Sequence, residues 1–170
     1  MEARELLAGI PLIADVLSAQ ECAILATHSG RVYFPPGQLL MAEGDFGSTM
    51  FIIDEGAVSV TASDIRGVSR PVTKLSRGDI VGEMSLMTGA RRNATVIALS
   101  AVEAIEIPKR ALEEILARRP ELLDRFRPEL ERRQAELDNI LADAKARWHV
   151  FGLSGEELVA EMRRFFAEVF

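Results

Sequence analysis

Between residues 30 and 107 the chain is cut at short, even intervals by turn signals. They are Pro35-Pro36-Gly37, Glu43-Gly44-Asp45, Glu55-Gly56, Arg66-Gly67 and Arg77-Gly78-Asp79. Glycine, proline and aspartate in these pairings favour turns because they adopt or bond into backbone conformations other residues avoid. The stretches between them are short and rich in β-forming residues: 31–34, 39–41, 49–53, 57–62, 72–75, 79–81, 94–98 and 102–107. Val58 and Val60 alternate with Ser59 and Thr61, as a strand with one buried and one wet face requires. Many short strands at this spacing suggest an all-β barrel or jelly roll.

The flanks read as helices. In the first, about 3–28, Ser18-Ala19-Gln20-Glu21 has the form of a capping box ahead of Cys22, Ile24 and Leu25. After Pro108, the segment 111–117 sets Leu112, Ile115 and Leu116 on one face. Pro120 interrupts it, and Leu122, Leu123 and Phe126 follow. Pro128 suits the first turn of a new helix, whose stripe is Leu130, Leu137, Ile140, Leu141 and Ala144. Gly152 breaks that run, and Ser154-Gly155-Glu156-Glu157 opens a last helix with Leu158, Met162, Phe165, Phe166 and Val169 on its apolar face. The expected fold class is α+β: an eight-stranded antiparallel jelly-roll barrel flanked by N-terminal and C-terminal helices. The expected division is an N-terminal helical segment (1–29), the β block (30–107), hinge and lid helices (108–147) and an additional C-terminal helix (148–170).

Composition narrows the partners. The 170 residues carry 20 basic and 26 acidic side chains, a net charge of −6. Nucleic acid is not expected as a partner, because affinity for it scales with the phosphates a protein neutralises. Residues 1–108 hold 8 basic and 13 acidic side chains, so the net negative charge sits mostly ahead of the C-terminal helices. No apolar run approaches the roughly 18–20 residues of a bilayer span, and no signal peptide or membrane insertion is expected. One cysteine, Cys22, cannot pair within the chain and reads as a small core residue. The two histidines, His28 and His149, lie outside the β block, so no metal site and no metalloenzyme built on a barrel is expected. No nucleophile–base arrangement stands out, and no catalytic residue is assigned.

The stretch with chemical content runs from Val81 to Val96. Gly82 removes a side chain where the backbone turns out of a strand. Residues 83–87 are good helix formers and can make one turn, whose free N–H groups at Glu83, Met84 and Ser85 can receive an anion. Arg92, just before the next strand, can fold back to the same spot. Glu83 would repel a phosphate, but it fits a ligand that also offers a hydroxyl, such as a ribose. A phosphate and a sugar hydroxyl held that close together point to a nucleotide.

This segment, 82–95, resembles the phosphate-binding cassette of cyclic nucleotide-binding domains. These domains occur in regulatory subunits of cAMP-dependent protein kinase, in catabolite activators and in cyclic nucleotide-gated channels. The resemblance covers roughly residues 10–140 and includes a glycine frame in order: Gly37, Gly44, Gly56, Gly78 and Gly82. It implies Glu83 as acceptor of the ribose hydroxyl and Arg92 as partner of the cyclic phosphate. Gly82, Met84 and Ser85 would supply backbone contacts. Asn93 stands where the family usually has Ser, Thr or Ala beside the phosphate, which leaves cAMP against cGMP open; Arg91 stands where proline is common. The base would lie on the wall at Val72 and Leu75, under a lid helix at about 128–147. Of the pair Arg132-Arg133, both read as a solvated face, with a lid contact to the base as the sharper reading.

The resemblance implies a cytoplasmic regulatory module that binds cAMP, or cGMP, and answers by moving a C-terminal helix. The C-terminal helices would reach a second copy, an effector or a channel domain. The stretch after the lid is not basic, so a DNA-binding module is not expected there. The alternative is an interaction module with a vestigial nucleotide site, working through the aromatic C-terminal helix. Intact Glu83 and Arg92 speak against it.

Overall fold

The computed structural model describes residues 2–64, 66–141 and 155–167. Three short helices open the chain: α1 (Ala3–Ala8), α2 (Pro11–Ala14) and α3 (Ala19–Thr27). The capping box is formed. The Ser18 hydroxyl accepts from the Glu21 N–H at 3.1 Å, and the Glu21 carboxylate accepts from the Ser18 N–H at 2.9 Å. Arg119 also donates to that carboxylate at 2.7 Å, tying α3 to the C-terminal helices.

All eight expected strands are present: β1 (Gly30–Phe34), β2 (Leu39–Met41), β3 (Thr49–Glu55), β4 (Val58–Ser63), β5 (Ser69–Leu75), β6 (Ile80–Val81), β7 (Thr95–Ala98) and β8 (Val102–Pro108). They form two antiparallel sheets, in the orders β1-β8-β3-β6 and β2-β7-β4-β5, packed as a jelly roll. One helix, α4 (Glu83–Thr88), interrupts the strands between β6 and β7. The alternation expected around Val58 and Val60 is observed along β4, where every second residue is buried. Strand β5 starts three residues earlier than its sequence suggested, because Pro71 is tolerated on the edge of a sheet, where its missing N–H breaks no ladder.

Strand β3 is buried on both faces, and this divides the interior in two. Phe51 and Ile53 point between the sheets, beside Val58, Val96 and Ala104. Met50 and Ile52 point outward, into a core shared with the helices. Leu86 and Met87 of α4 belong to that outer core. The stretch from Gly82 to Arg92 therefore stands where the sandwich meets the helical layer.

Beyond the strands lie α5 (Lys109–Arg118), α6 (Leu122–Leu141) and α7 (Gly155–Phe165). Ala111, Leu112, Ile115 and Leu116 bury the expected face of α5. Pro128 does not start a helix; it lies inside α6. Proline there gives up one helical hydrogen bond and crowds the preceding turn. Leu122, Leu123, Phe126 and Leu130, all fully buried around it, hold the helix continuous. Leu158 and Met162 of α7, and Phe166 just after it, are buried in the outer core, so these residues face their own chain. The side chains of Leu137, Ile140 and Leu141, and residues Ala144, His149, Gly152, Ser154, Val169 and Phe170, lie outside the described residues, as does the lid's expected end at 142–147.

Candidate functional site

Gly82 joins β6 to α4 with φ at 83°. A Cβ at this position would come within 2.7 Å of the Thr49 carbonyl oxygen, so both conformation and space demand glycine. The Leu86 N–H donates to the Gly82 carbonyl at 3.1 Å, which closes the first turn of α4. The N–H groups of Glu83, Met84 and Ser85 then head a helix with no preceding turn of its own to accept them. All six residues of α4 are buried, Glu83 among them.

A cleft of about 570 Å3, its open mouth included, lies against this turn. Gly82, Glu83, Met84 and Ser85 line one side, with Asn93 and Ala94 beside them. Val72 and Leu75 line the wall opposite, together with Met41, Val60, Thr73 and Val96. Arg133 of α6 completes the lining. Seven of the eight sequence-derived site residues thus meet in one cavity, and the eighth, Arg92, sits directly behind it.

Arg92 is 5% exposed. Its Nη1 donates to the Thr49 carbonyl at 2.7 Å and to the Gly82 carbonyl at 3.4 Å, and its Nη2 to the Thr49 hydroxyl at 2.8 Å. Its backbone is zipped to the loop before β3: its N–H donates to the Asp45 carbonyl, and its carbonyl accepts from the Gly44 N–H, both at 2.8 Å. Burial pushes the guanidinium below its ordinary value, and the carboxylates of Glu83, Glu106 and Asp45 oppose that shift. Arginine keeps its charge through such a shift. The outcome is a fixed cation under the turn that presents the amides.

Glu83 has a partner from across the cleft. Arg133 Nε donates to its Oε1 at 2.6 Å, and Arg133 Nη2 to the Ile80 carbonyl at 3.2 Å. The adjacent arginines Arg132 and Arg133 of α6 therefore divide. Arg132 pairs with Glu129 on an exposed face of the helix, whereas Arg133 reaches the cassette. Among the residues that sequence reasoning did not assign to the site are Gly47, Thr49 and Thr73, and Arg133, half of the pair read as a solvated face, meets Glu83 here. A Cβ on Gly47 would come within 2.6 Å of the Arg92 guanidinium carbon, so that glycine makes room for the arginine. Arg91, beside Arg92, instead stacks over the exposed Phe46 ring at 4.4 Å.

No group of three or more metal-ligating side chains occurs among the described residues. No helix among them is long and apolar enough to cross a membrane. Burial raises the pKa of the Cys22 thiol, and Glu21 adds to the shift while Arg4 opposes it, which keeps the sulfur protonated and unreactive.

Residues 31–119, just over half of the chain, match the family described as cyclic nucleotide-binding domain. The chain belongs to that family. A cAMP-dependent protein kinase regulatory subunit of Mucor circinelloides f. lusitanicus is 34% identical over 100 residues, which are 59% of this chain and 23% of that protein. A CRP-like cAMP-activated global transcriptional regulator of Mycobacterium tuberculosis is 30% identical over 121 residues, 71% of this chain and 54% of the regulator. The chain thus spans about half or less of these relatives. Among solved structures, the regulatory subunit of a cAMP-independent protein kinase A from Trypanosoma cruzi, bound to guanosine, is similar at a TM-score of 0.66 and 26% identity, covering 84% of this chain and 50% of that one. For a cyclic nucleotide-binding domain, the stretch 82–95 lies within the matched region, and α7 lies outside it.

Proposed function

We propose that this cyclic nucleotide-binding domain is a regulatory module that takes cAMP, with cGMP as the competing ligand, in the cleft beside α4. The observation that carries this reading is the convergence of three elements on one cavity: the first turn of α4, the apolar wall at Val72 and Leu75, and Arg133 of the lid helix. A cyclic phosphate would take the amides of α4, with Arg92 behind them. A ribose hydroxyl would donate to Glu83, and the base would lie on the wall. Asn93, which lines the cleft beside Ala94, would add a polar side chain near the phosphate.

Coupling follows from Glu83. A carboxylate accepts several hydrogen bonds at once, so Arg133 and a ligand hydroxyl can share it. The position of α6 and the occupancy of the cleft then belong to one network, and movement of α6 is the output. By linkage, whatever holds α6 against the cleft tightens ligand binding by the same factor that the ligand tightens α6. The work is binding rather than catalysis. An output partner, whether an effector or a second copy, would be reached through the C-terminal helices. A free, buried Cys22 accords with a cytoplasmic setting. The reading as an interaction module built on exposed aromatic residues loses ground, because Phe166 is spent on the chain's own core.

The test is a calorimetric titration of the wild-type chain and of Arg92→Ala with cAMP, cGMP and guanosine. Guanosine is included because the Trypanosoma cruzi relative holds it. Charged hydrogen bonds contribute about 1.5–3 kcal/mol each, so losing two weakens cyclic nucleotide binding roughly a hundredfold or more. Guanosine has no phosphate, and its affinity should change far less. Equal affinity of wild type and a folded Arg92→Ala for cAMP would remove the phosphate assignment. Binding of guanosine alone would reassign the cleft to nucleosides.

A further inference from the structure

Helix α7 is packed against the opposite end of the helix that lines the cleft. Helix α4 ends at Gly89, whose φ is 72° and whose N–H donates to the Ser85 carbonyl at 3.0 Å. A Cβ on Gly89 would come within 2.8 Å of Cε1 of Phe165, so the ring lies flush on that cap. Lys109, the first residue of α5, also holds the same ring, its Nζ 4.2 Å from the centroid. Phe166 packs edge-on against Phe165 at 5.2 Å and is itself buried in the outer core. Arg163 adds an exposed ion pair to Asp124 of α6 at 3.2 Å.

A six-residue helix is not stable by itself; its order comes from packing. Its length is about 9 Å at 1.5 Å per residue, so a shift at the Gly89 end is carried almost rigidly to Glu83, Met84 and Ser85. We propose that Phe165 is a positioning residue for the cleft: seated on Gly89, it fixes the axis of α4 and thereby the aim of the amides at its other end. The effect on nucleotide affinity rests on the proposed ligand reading; the effect on α4 does not. A pre-ordered cassette need not be ordered at the moment of binding, so a docked α7 tightens the site. The reciprocal statement follows by linkage: a bound nucleotide strengthens the docking of α7.

The experiment uses the full chain as wild type, Phe165→Ala, Phe165→Leu and Arg163→Glu. Hydrogen exchange is followed without ligand at the amides of 86–89, the stretch bonded into the α4 turns from Leu86 to Gly89, and cAMP affinity by calorimetry. Phe165→Ala should speed exchange across 86–89 by about tenfold while β3 amides keep their protection. It should weaken cAMP binding about fivefold or more, with Phe165→Leu recovering most of both effects. Arg163→Glu weakens docking from the solvent side with no change in the core. It should move both readouts in the same direction by less, and it carries the test if Phe165→Ala does not fold. Unchanged exchange at 86–89, or faster exchange with unchanged or tighter cAMP binding, would overturn the proposal. If wild type binds no nucleotide, the ligand reading fails, and exchange at 86–89 alone decides whether Phe165 positions α4.

Discussion

At the scale of single residues, the neighbouring arginines of α6 give a contrast. Arg133 is paired with a carboxylate that is almost wholly buried, and Arg132 with one at the surface. Leaving a buried charged acceptor without its partner costs about 1–3 kcal/mol. An exposed ion pair at i, i+3 contributes a few tenths at most. Urea unfolding should therefore report a loss of about 1–3 kcal/mol for Arg133→Ala, against under about 0.5 kcal/mol for Arg132→Ala. Equal effects would mean that the Glu83 contact does not hold the lid. Gly82→Ala belongs to the same scale: it forces an alanine to φ 83° and against the Thr49 carbonyl, and should cost about 1–3 kcal/mol. The need for Gly82 was legible, since a strand turning directly into a helix asks for glycine there. The need for Gly47 was not. It arises only because Arg92, 45 positions on, folds its guanidinium over that loop, and no local pattern announces such a contact.

At the scale of elements, local signals served where the chain's neighbours along the sequence decide the structure. The Ser18–Glu21 box formed as read, because its partners are three residues apart. Its tertiary tie to Arg119 was invisible for the opposite reason. Burial raises the Glu21 pKa, but the bonds from Ser18 and the charge of Arg119 outweigh it, and the carboxyl ends below its ordinary value of 4.5. A carboxyl depressed in the folded state stabilises fully above its unfolded pKa and loses that contribution as pH falls through the folded value. Wild type should thus be more stable than Glu21→Gln at pH 7 by about 0.2–1 kcal/mol, because glutamine can keep the capping bond and only the charge facing Arg119 is lost. The difference should shrink below pH 4.5 in paired thermal melts. A gap that persists unchanged into strong acid would exclude the charge as its source. Pro128 is the element at which local logic lost. The rule that proline opens helices is a statement about backbone cost, and four buried side chains across that point outweigh it. Helix α6 consequently runs unbroken from Leu122 rather than starting at Pro128.

At the scale of the molecule, the net charge of −6 disfavours anions at long range, yet the proposed ligand is an anion. On the proposed reading the cleft would resolve this locally, through the amides of one short helix that line it and a buried arginine behind them. At physiological salt, screening acts over about 8 Å, so the charges spread over the surface contribute little at the cleft, while contacts of about 3 Å are hardly screened. A polyanion binder behaves differently, since each neutralised phosphate releases counterions and affinity falls steeply with salt. For this chain, cAMP affinity measured by calorimetry between 50 and 500 mM salt should change by less than about threefold, because only one ligand charge is involved. If surface charge repelled the ligand appreciably, affinity would rise with salt; if a basic surface patch captured it, affinity would fall by an order of magnitude or more. Either slope would place recognition outside the cleft and on the surface field instead.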